Sequence, residues 1–175
     1  MVNPLLWGKI AFTINKYSNG NKKLNIIFGN MKYNPYLRQM RLTDKPYDLD
    51  QSYKIVNLTV EWCKKFFTAP HIKRRKPLCL MIHNTPAREV YGEYCSGNNW
   101  LTINLHNCVS IKDIITTTIH EYVHFCQDLK DYGKMSKKMG YENNPYEVEA
   151  RDNEKYYTNC WRSIKYKVSL THRVS

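Results

Sequence analysis

The segment from Ser110 to Lys130 limits the fold of this 175-residue chain more than any other part of the sequence. Ser110 and Asp113 have the spacing of a capping box, which begins a helix and places an acid near the positive end of the helix dipole. The helix is expected to end at about Lys130, before Gly133. At about 100° per residue, its apolar residues fall on one side, which we expect to be buried. These residues are Ile111, Ile114, Ile115, Thr118, Ile119, Tyr122, Cys126 and Leu129.

An HExxH motif, His120-Glu121-Tyr122-Val123-His124, lies within this helix. Residues four apart project from one helix face, so both imidazoles can bind one metal ion. Neutral imidazole nitrogen is a good zinc ligand, and Glu121 lies beside that face, where its carboxylate can take a proton from water. The histidines point nearly opposite to the apolar side, which argues against a role in core packing. The motif therefore predicts a zinc site.

A zinc site of this kind needs a third protein ligand, and a catalytic site keeps its fourth position open. Gln127 and Lys130 stand where the longer HExxHxxGxxH motif has glycine and histidine, so that form is excluded. Two carboxylates, Glu147 and Glu149, follow the motif by 23 and 25 residues in a segment predicted to be the last helix. Their side chains diverge, so only one can face the metal, and helical periodicity does not choose between them.

HExxH followed some twenty residues later by a helical Glu-x-x-Ala resembles the gluzincin branch of the zincin metallopeptidases, especially its small minimal members. The resemblance covers about residues 50–166. It implies a metalloendopeptidase with one Zn²⁺ per chain, bound by His120, His124 and Glu147. It also implies that Glu121 is the general base for a zinc-activated water. Glu147 matches the first residue of Glu-x-x-Ala, and Glu149 stays the alternative ligand.

The chain departs from the family pattern at Arg151, four residues after Glu147. Many members have Asp or Asn at that position, where it orients a histidine, so support for the histidines is expected from elsewhere. The resemblance also implies a group opposite the zinc that stabilises the transition state. Tyr156, Tyr157 and Arg151 are the candidates for that role.

The other predicted elements agree with an α+β, zincin-like fold. A helix is expected over residues 51–67, with Asp50 as its cap and with Ile55, Leu58, Trp62 and Phe66 on its apolar face. A buried strand over 78–82 and a hairpin over 89–105 follow. Asn144 and Pro145 have the residue types that begin a helix, which is expected to run to about Tyr166.

The second hairpin strand, residues 100–105, has the alternating pattern of a half-buried strand. We expect it to be the edge strand of a small mixed sheet that packs on the HExxH helix. An extended peptide or protein substrate would pair with that edge along Trp100, Thr102 and Asn104.

The domain organisation follows from these elements. Residues 1–49 are expected to form an N-terminal extension of a hairpin, over about 10–28, and loops. Residues 50–167 are expected to form the metallopeptidase domain, and residues 168–175 a basic C-terminal tail. No apolar run approaches the roughly 18 residues of a membrane-spanning helix, and no secretory signal is visible. Six cysteines without a CxxC pair indicate reduced thiols in a cytoplasmic protein, or in a virion if the chain is viral.

The formal net charge of +12 favours anionic partners such as nucleic acid or another polyanion. The abundance of Lys, Asn, Tyr and Ile also fits an AT-rich coding sequence without selection for a basic surface. The rival hypothesis is a non-catalytic, zinc-stabilised binding protein or virion structural protein, as in a phage particle. Its basic surface, including the run from His71 to Lys76, would contact nucleic acid. The HExxH motif favours the peptidase, because a purely structural zinc site has no need of Glu121.

Overall fold

The fold is α+β, with five α-helices and a three-stranded sheet among the described residues. In this computed structural model those residues are 40–46, 48–67, 77–86 and 89–169. In chain order the elements are α1 Leu49–Phe66, β1 Cys79–His83, β2 Gly92–Cys95, β3 Trp100–Asn104, α2 Ile111–Cys126, α3 Tyr132–Met139, α4 Pro145–Glu154 and α5 Tyr157–Ser169. None of the helices within these ranges has the length and apolar character needed to cross a membrane. The predicted hairpin over 10–28, the basic run 71–76 and most of the predicted C-terminal tail lie outside the described residues.

The sheet is mixed and has the strand order β1-β3-β2. β3 pairs parallel with β1 and antiparallel with β2. The predicted second hairpin is therefore confirmed, and the Cys95–Trp100 pair closes it. Asn99, the last residue of the connecting turn, adopts a positive φ of 54°, a conformation that asparagine tolerates better than most residues.

The prediction that residues 100–105 form the edge strand is wrong. β3 is the central strand, so the backbone groups of Trp100, Thr102 and Asn104 lie between two neighbouring strands and are not open to a peptide. The apolar residues of β3 explain its central position. Leu101 and Ile103 are fully buried, as is usual for a strand with a neighbour on each side. Among the described strands, β1 and β2 lie at the two edges of the sheet. β1 is accordingly only half-buried, rather than buried as predicted.

The predicted capping box of α2 is confirmed. The Ser110 hydroxyl accepts from the backbone N–H of Asp113, and the Asp113 carboxylate accepts from the backbone N–H of Ser110. The helix ends at Cys126 and not near Lys130, because the backbone of Gln127 is extended. A 3₁₀ turn, Leu129–Asp131, and helix α3 follow it.

Helix α1 begins two residues earlier than predicted, since Asp48 rather than Asp50 caps it and accepts from the backbone N–H of Gln51. Its buried face is also rotated from the predicted one. Phe66 is 42% exposed and stacks on Trp62. The buried face instead includes polar residues that an apolar pattern does not reveal; its members are Gln51, Ser52, Ile55, Val56, Thr59, Val60 and Cys63.

The predicted last helix is two helices. Asn144 caps α4 as expected, with Pro145 in the first turn, and α4 ends at Glu154. The chain then turns at Lys155 and Tyr156 before α5 begins. This break lets α4 pack on α2 while α5 packs on α1 and α2.

Residues 40–46, which precede α1, also belong to the packed body. Met40 is buried in the core. The carbonyls of Asp44 and Leu42 accept from the backbone N–H groups of Ile111 and Lys112, two donors that the first turn of α2 cannot satisfy internally. The N-terminal segment thus holds the start of the HExxH helix, and the domain limits given above stay a prediction.

Removing the Ser110 hydroxyl is expected to destabilise the start of α2. Ser110→Ala should lower the free energy of unfolding by about 1 kcal/mol, because the N–H of Asp113 loses its acceptor. Urea denaturation with an unchanged m-value measures this. Ser163→Ala is the matched control, since that exposed hydroxyl bonds only its own helix turn, and it should change the value by less than about 0.5 kcal/mol. Equal effects of the two variants would contradict a stabilising capping box.

Candidate metal centre

The packing of α4 on α2 brings three potential metal ligands together. One ligand atom from each of His120, His124 and Glu147 lies within 4.8 Å of the other two. The two imidazole Nε2 atoms are 3.1 Å apart, and each lies 3.3 Å from a different oxygen of Glu147. Ligand atoms about 2.0–2.1 Å from a tetrahedral zinc are separated by about 3.3 Å, so the spacing of this group fits the metal.

Glu147 supplies a second test of that fit. Its carboxylate is only 2% exposed, and its Oε2 atom accepts no hydrogen bond from the residues the structure describes. Leaving such an oxygen buried without a partner is costly, and a cation between the imidazoles and the carboxylate would supply one. Burial raises the pKa of Glu147, but hydrogen bonds from Tyr132 and Tyr141, together with the two nearby histidines, hold it below its usual range. The side chain of Glu147 is therefore ionised at neutral pH, which is the form that binds a metal.

Each histidine is oriented by an acceptor on its other ring nitrogen. His120 Nδ1 lies 2.8 Å from Glu154 Oε1, and His124 Nδ1 lies 2.8 Å from Gln127 Oε1. Since both partners are acceptors, each Nδ1 carries the proton and each Nε2 presents its lone pair to the metal position. Burial also lowers the pKa of His124, which favours the neutral, metal-binding form.

Glu154 and Gln127 were missed in the sequence. Glu154 lies seven residues after Glu147, two helical turns along the same face, so it replaces the Asp or Asn expected at the position of Arg151. In the sequence, Gln127 is notable only as a departure from the longer motif. The signal that could have found Glu154 is its i, i+7 spacing from the ligand.

Gln127 also fixes the position of Glu149. Its amide nitrogen donates to the carbonyl of Tyr146 and to Glu149 Oε2, each at 2.9 Å. These bonds tie the end of α2 to the first turn of α4. Of the two carboxylates left open by the sequence, Glu147 faces the histidines, while Glu149 is exposed and contacts the amide that supports His124.

Glu121 lies buried beside the ligand group, at 7% exposure. The backbone N–H of Tyr94, in β2, donates to its carboxylate. Burial raises the pKa of Glu121 to about 7, while the neighbouring His120 acts to lower it. A carboxyl group with a pKa close to the working pH is suited to accept and release a proton.

The structure does not bring the three predicted transition-state stabilisers to this site. Arg151 pairs with Glu142, Tyr156 packs against Phe66, and the ammonium of Lys112 lies over the ring of Tyr157. Helix α4 ends at Glu154, so the two tyrosines belong to a turn and a helix that pack elsewhere. The sequence predicted one continuous helix through these residues, and that prediction is wrong.

Tyrosines of the segment between α2 and α4 contact the site instead. The hydroxyl of Tyr132 donates to Glu147 Oε1 at 2.5 Å, and its ring lies edge-on to His124. Burial, followed by its bond to Glu147, raises the pKa of Tyr132 to about 12. Tyr132 therefore acts as a donor that orients the carboxylate. The sequence gave no sign of it, because this segment reads as a loop.

The alternative third ligands are separated by a pair of variants. Glu147→Ala removes a buried ligand and should reduce zinc affinity well beyond the roughly 10–100-fold that is typical of losing an orienting partner. Glu149→Ala should reduce it by about 10-fold or less, because only a contact to Gln127 is lost. Competition with a chromogenic zinc chelator measures both. A larger loss in Glu149→Ala would move the ligand to that residue.

The support of His120 by Glu154 is tested in the same assay. Glu154→Ala removes the acceptor of His120 Nδ1 and should weaken zinc binding by about 10–100-fold. Asp152→Ala is the control, since it removes an exposed carboxylate from the same helix and should leave the affinity unchanged. Equal affinities of both variants and the wild type would show that Glu154 does not orient His120.

The candidate metal centre thus consists of three ligands from two helices, each with a polar partner. His120 is held by Glu154, His124 by Gln127, and Glu147 by a tyrosine. The assignment rests on these contacts and on the chemistry of the donor set. Comparison of the chain with profiles of protein families, with curated proteins and with solved structures found no match.

Proposed function

We propose that the protein is a zinc-dependent metallopeptidase with a zincin-like fold of the gluzincin type. The observation that carries the proposal is the combination of three ligands with a buried carboxylate beside them. Structural zinc sites are closed by four protein ligands, whereas catalytic sites have three and an open position. The described residues offer His120, His124 and Glu147 as one group of three. Glu121, which is not a ligand in this scheme, lies next to that group.

The residues of the chain have separate roles in the proposed reaction. When bound, zinc would polarise the scissile carbonyl and lower the pKa of a water molecule. Glu121 takes a proton from the attacking water and delivers it to the leaving amine. The fixed imidazoles and the Tyr132-oriented carboxylate keep the ligand group in place, so the reacting groups need little rearrangement. The acceptors on the two Nδ1 atoms keep both histidines in the tautomer that this arrangement requires.

The corrected sheet order supports a proposal for where the substrate would lie. Of the described strands, β2 lies at one edge of the sheet and packs on α2, and the N–H of Tyr94 reaches Glu121. We propose that a peptide or protein substrate approaches the ligand group from the β2 side of the sheet and does not pair with β3, which has a strand on each side. Its scissile bond would then lie next to both Glu121 and the ligand group.

The rival hypothesis, a zinc-stabilised binding or virion protein with a basic surface, gains no support from the described residues. Its main candidate surface, the run from His71 to Lys76, lies outside them. A site that only stabilised the fold would also have no use for a buried acid at Glu121, since burying a carboxyl group costs free energy.

A single substitution separates catalysis from a scaffold role. Glu121→Gln keeps the size of the side chain and removes the base, so turnover of an unstructured protein such as casein should fall by at least about 10²-fold. Elemental analysis of protein purified without a histidine tag should still give about one zinc per chain, with a melting temperature close to that of the wild type.

Glu61→Gln is the matched control, since it makes the same change at an exposed glutamate of α1. It should leave both zinc content and turnover close to wild type. Loss of zinc in Glu121→Gln would show that Glu121 is a ligand. Unchanged turnover in that variant would refute the proposed mechanism, and the absence of zinc from the wild type, even after zinc is offered, would refute the metal site.

A further inference from the structure

We propose that Gly92, in the edge strand β2, is a positioning residue for Glu121. Its lack of a side chain creates the space in which the Glu121 carboxylate is held. The contact is a feature of the fold, and its effect on turnover rests on the proposed function.

The space at Gly92 is already filled by neighbouring atoms. A β-carbon at this position would lie 2.9 Å from Cγ of Glu121 and 3.1 Å from its Oε1. It would also lie 2.7 Å from Cγ2 of Thr117. Carbon atoms in favourable contact are about 3.5–4.0 Å apart, so any side chain here must displace one of these groups.

Backbone conformation does not explain this glycine. Among the described glycines, Gly140 is the one with a positive φ, so Gly92 adopts a conformation open to any residue. The lack of room for a side chain therefore explains why this position is a glycine. Glycine within a strand weakens it, and one of its established uses is to let another group approach the backbone closely.

The second anchor of Glu121 lies two residues along the same strand. The carbonyl of Tyr91 accepts from the N–H of Asn104 in β3. In an antiparallel pair every second residue bonds the neighbouring strand, so residues 91, 93 and 95 face β3 and residues 92 and 94 face away from it. The N–H of Tyr94 consequently points to the outer edge of the sheet, where it donates to the Glu121 carboxylate. One strand thus provides both the gap for the side chain and the donor that holds it.

A side chain at position 92 would push Glu121 away from this donor. The ligands need not move, because His120, His124 and Glu147 belong to α2 and α4 and are oriented by other residues. The expected result is a protein that keeps its zinc but holds its general base in the wrong place. Small misplacements of a reacting group are enough to reduce a rate by about 10²-fold.

A simple packing defect must be separated from this effect. Gly92→Ala alone also meets the methyl group of Thr117, which could disturb the fold. Thr117→Ser removes that methyl group and keeps the hydroxyl. In Gly92→Ala/Thr117→Ser the remaining close contact is therefore with Glu121 itself, and Thr117→Ser alone is the control.

The readout that does not depend on activity is hydrogen exchange of the Tyr94 amide, followed by NMR of ¹⁵N-tyrosine-labelled protein. Relative to Thr117→Ser, the double variant should show about tenfold or faster exchange of this amide, as should Glu121→Ala, because both remove its acceptor. Zinc content and melting temperature should match the control. In the cleavage assay kcat should fall by at least about tenfold, with KM little changed.

Wild-type protection of the Tyr94 amide in the double variant would overturn the inference, whether or not the protein cleaves peptides. Recovery of full turnover together with stability in that variant would also overturn it. Failure of the proposed function is seen separately, as turnover in the wild type that is absent or unaffected by Glu121→Gln. In that case the amide exchange still decides whether Gly92 positions Glu121.

Discussion

A buried negative charge is the constraint on which the rest of the site depends. The Glu147 carboxylate is almost fully enclosed between α2 and α4, and removing a carboxylate from water costs several kcal/mol unless other groups compensate. The hydroxyl of Tyr132 does so in part, and a cation held by the two imidazoles would complete the compensation. The elements packed around Glu147 place these compensating groups next to its carboxylate. Helix α3 carries the tyrosine, and Asn144, which is fully buried, joins α3 to α4 by accepting from the Tyr146 N–H while donating to the Ser136 hydroxyl.

The parts of the fold that the sequence predicted are those encoded by short-range signals. The capping box at Ser110, the asparagine cap at Asn144 and the HExxH spacing each involve residues within one helical turn, so the local sequence determines them. The hairpin around Asn99 is of the same kind. The predicted apolar face of α2 is buried from Ile111 to Cys126. From Glu121 onward the side that carries the histidines is buried as well, because α4 packs on it.

The parts that the sequence did not predict depend on contacts between distant segments. Alternation marks a strand without saying which strands lie beside it, so the central place of β3 depends on a parallel pairing with β1. The break between α4 and α5 carries no proline or glycine, and tertiary packing produces it. Glu154 and Tyr132 support the ligands through contacts made only after α3 and α4 have packed. Such supporting residues are the part of the site that motif spacing does not reveal.

The composition of α4 has a consequence for how the protein responds to its surroundings. Only Glu147 and Ala150 of this helix are buried, so little apolar surface attaches it to the rest of the fold. Its attachment relies on polar contacts, those of Glu147 and Glu154 with the histidines and those of Gln127 with the first turn. A segment held in this way opens as a local unit at a lower free energy than the core. In the proposed zinc site, metal supply would then set how often α4 detaches, and scarcity of zinc would first increase proteolytic cleavage of the chain.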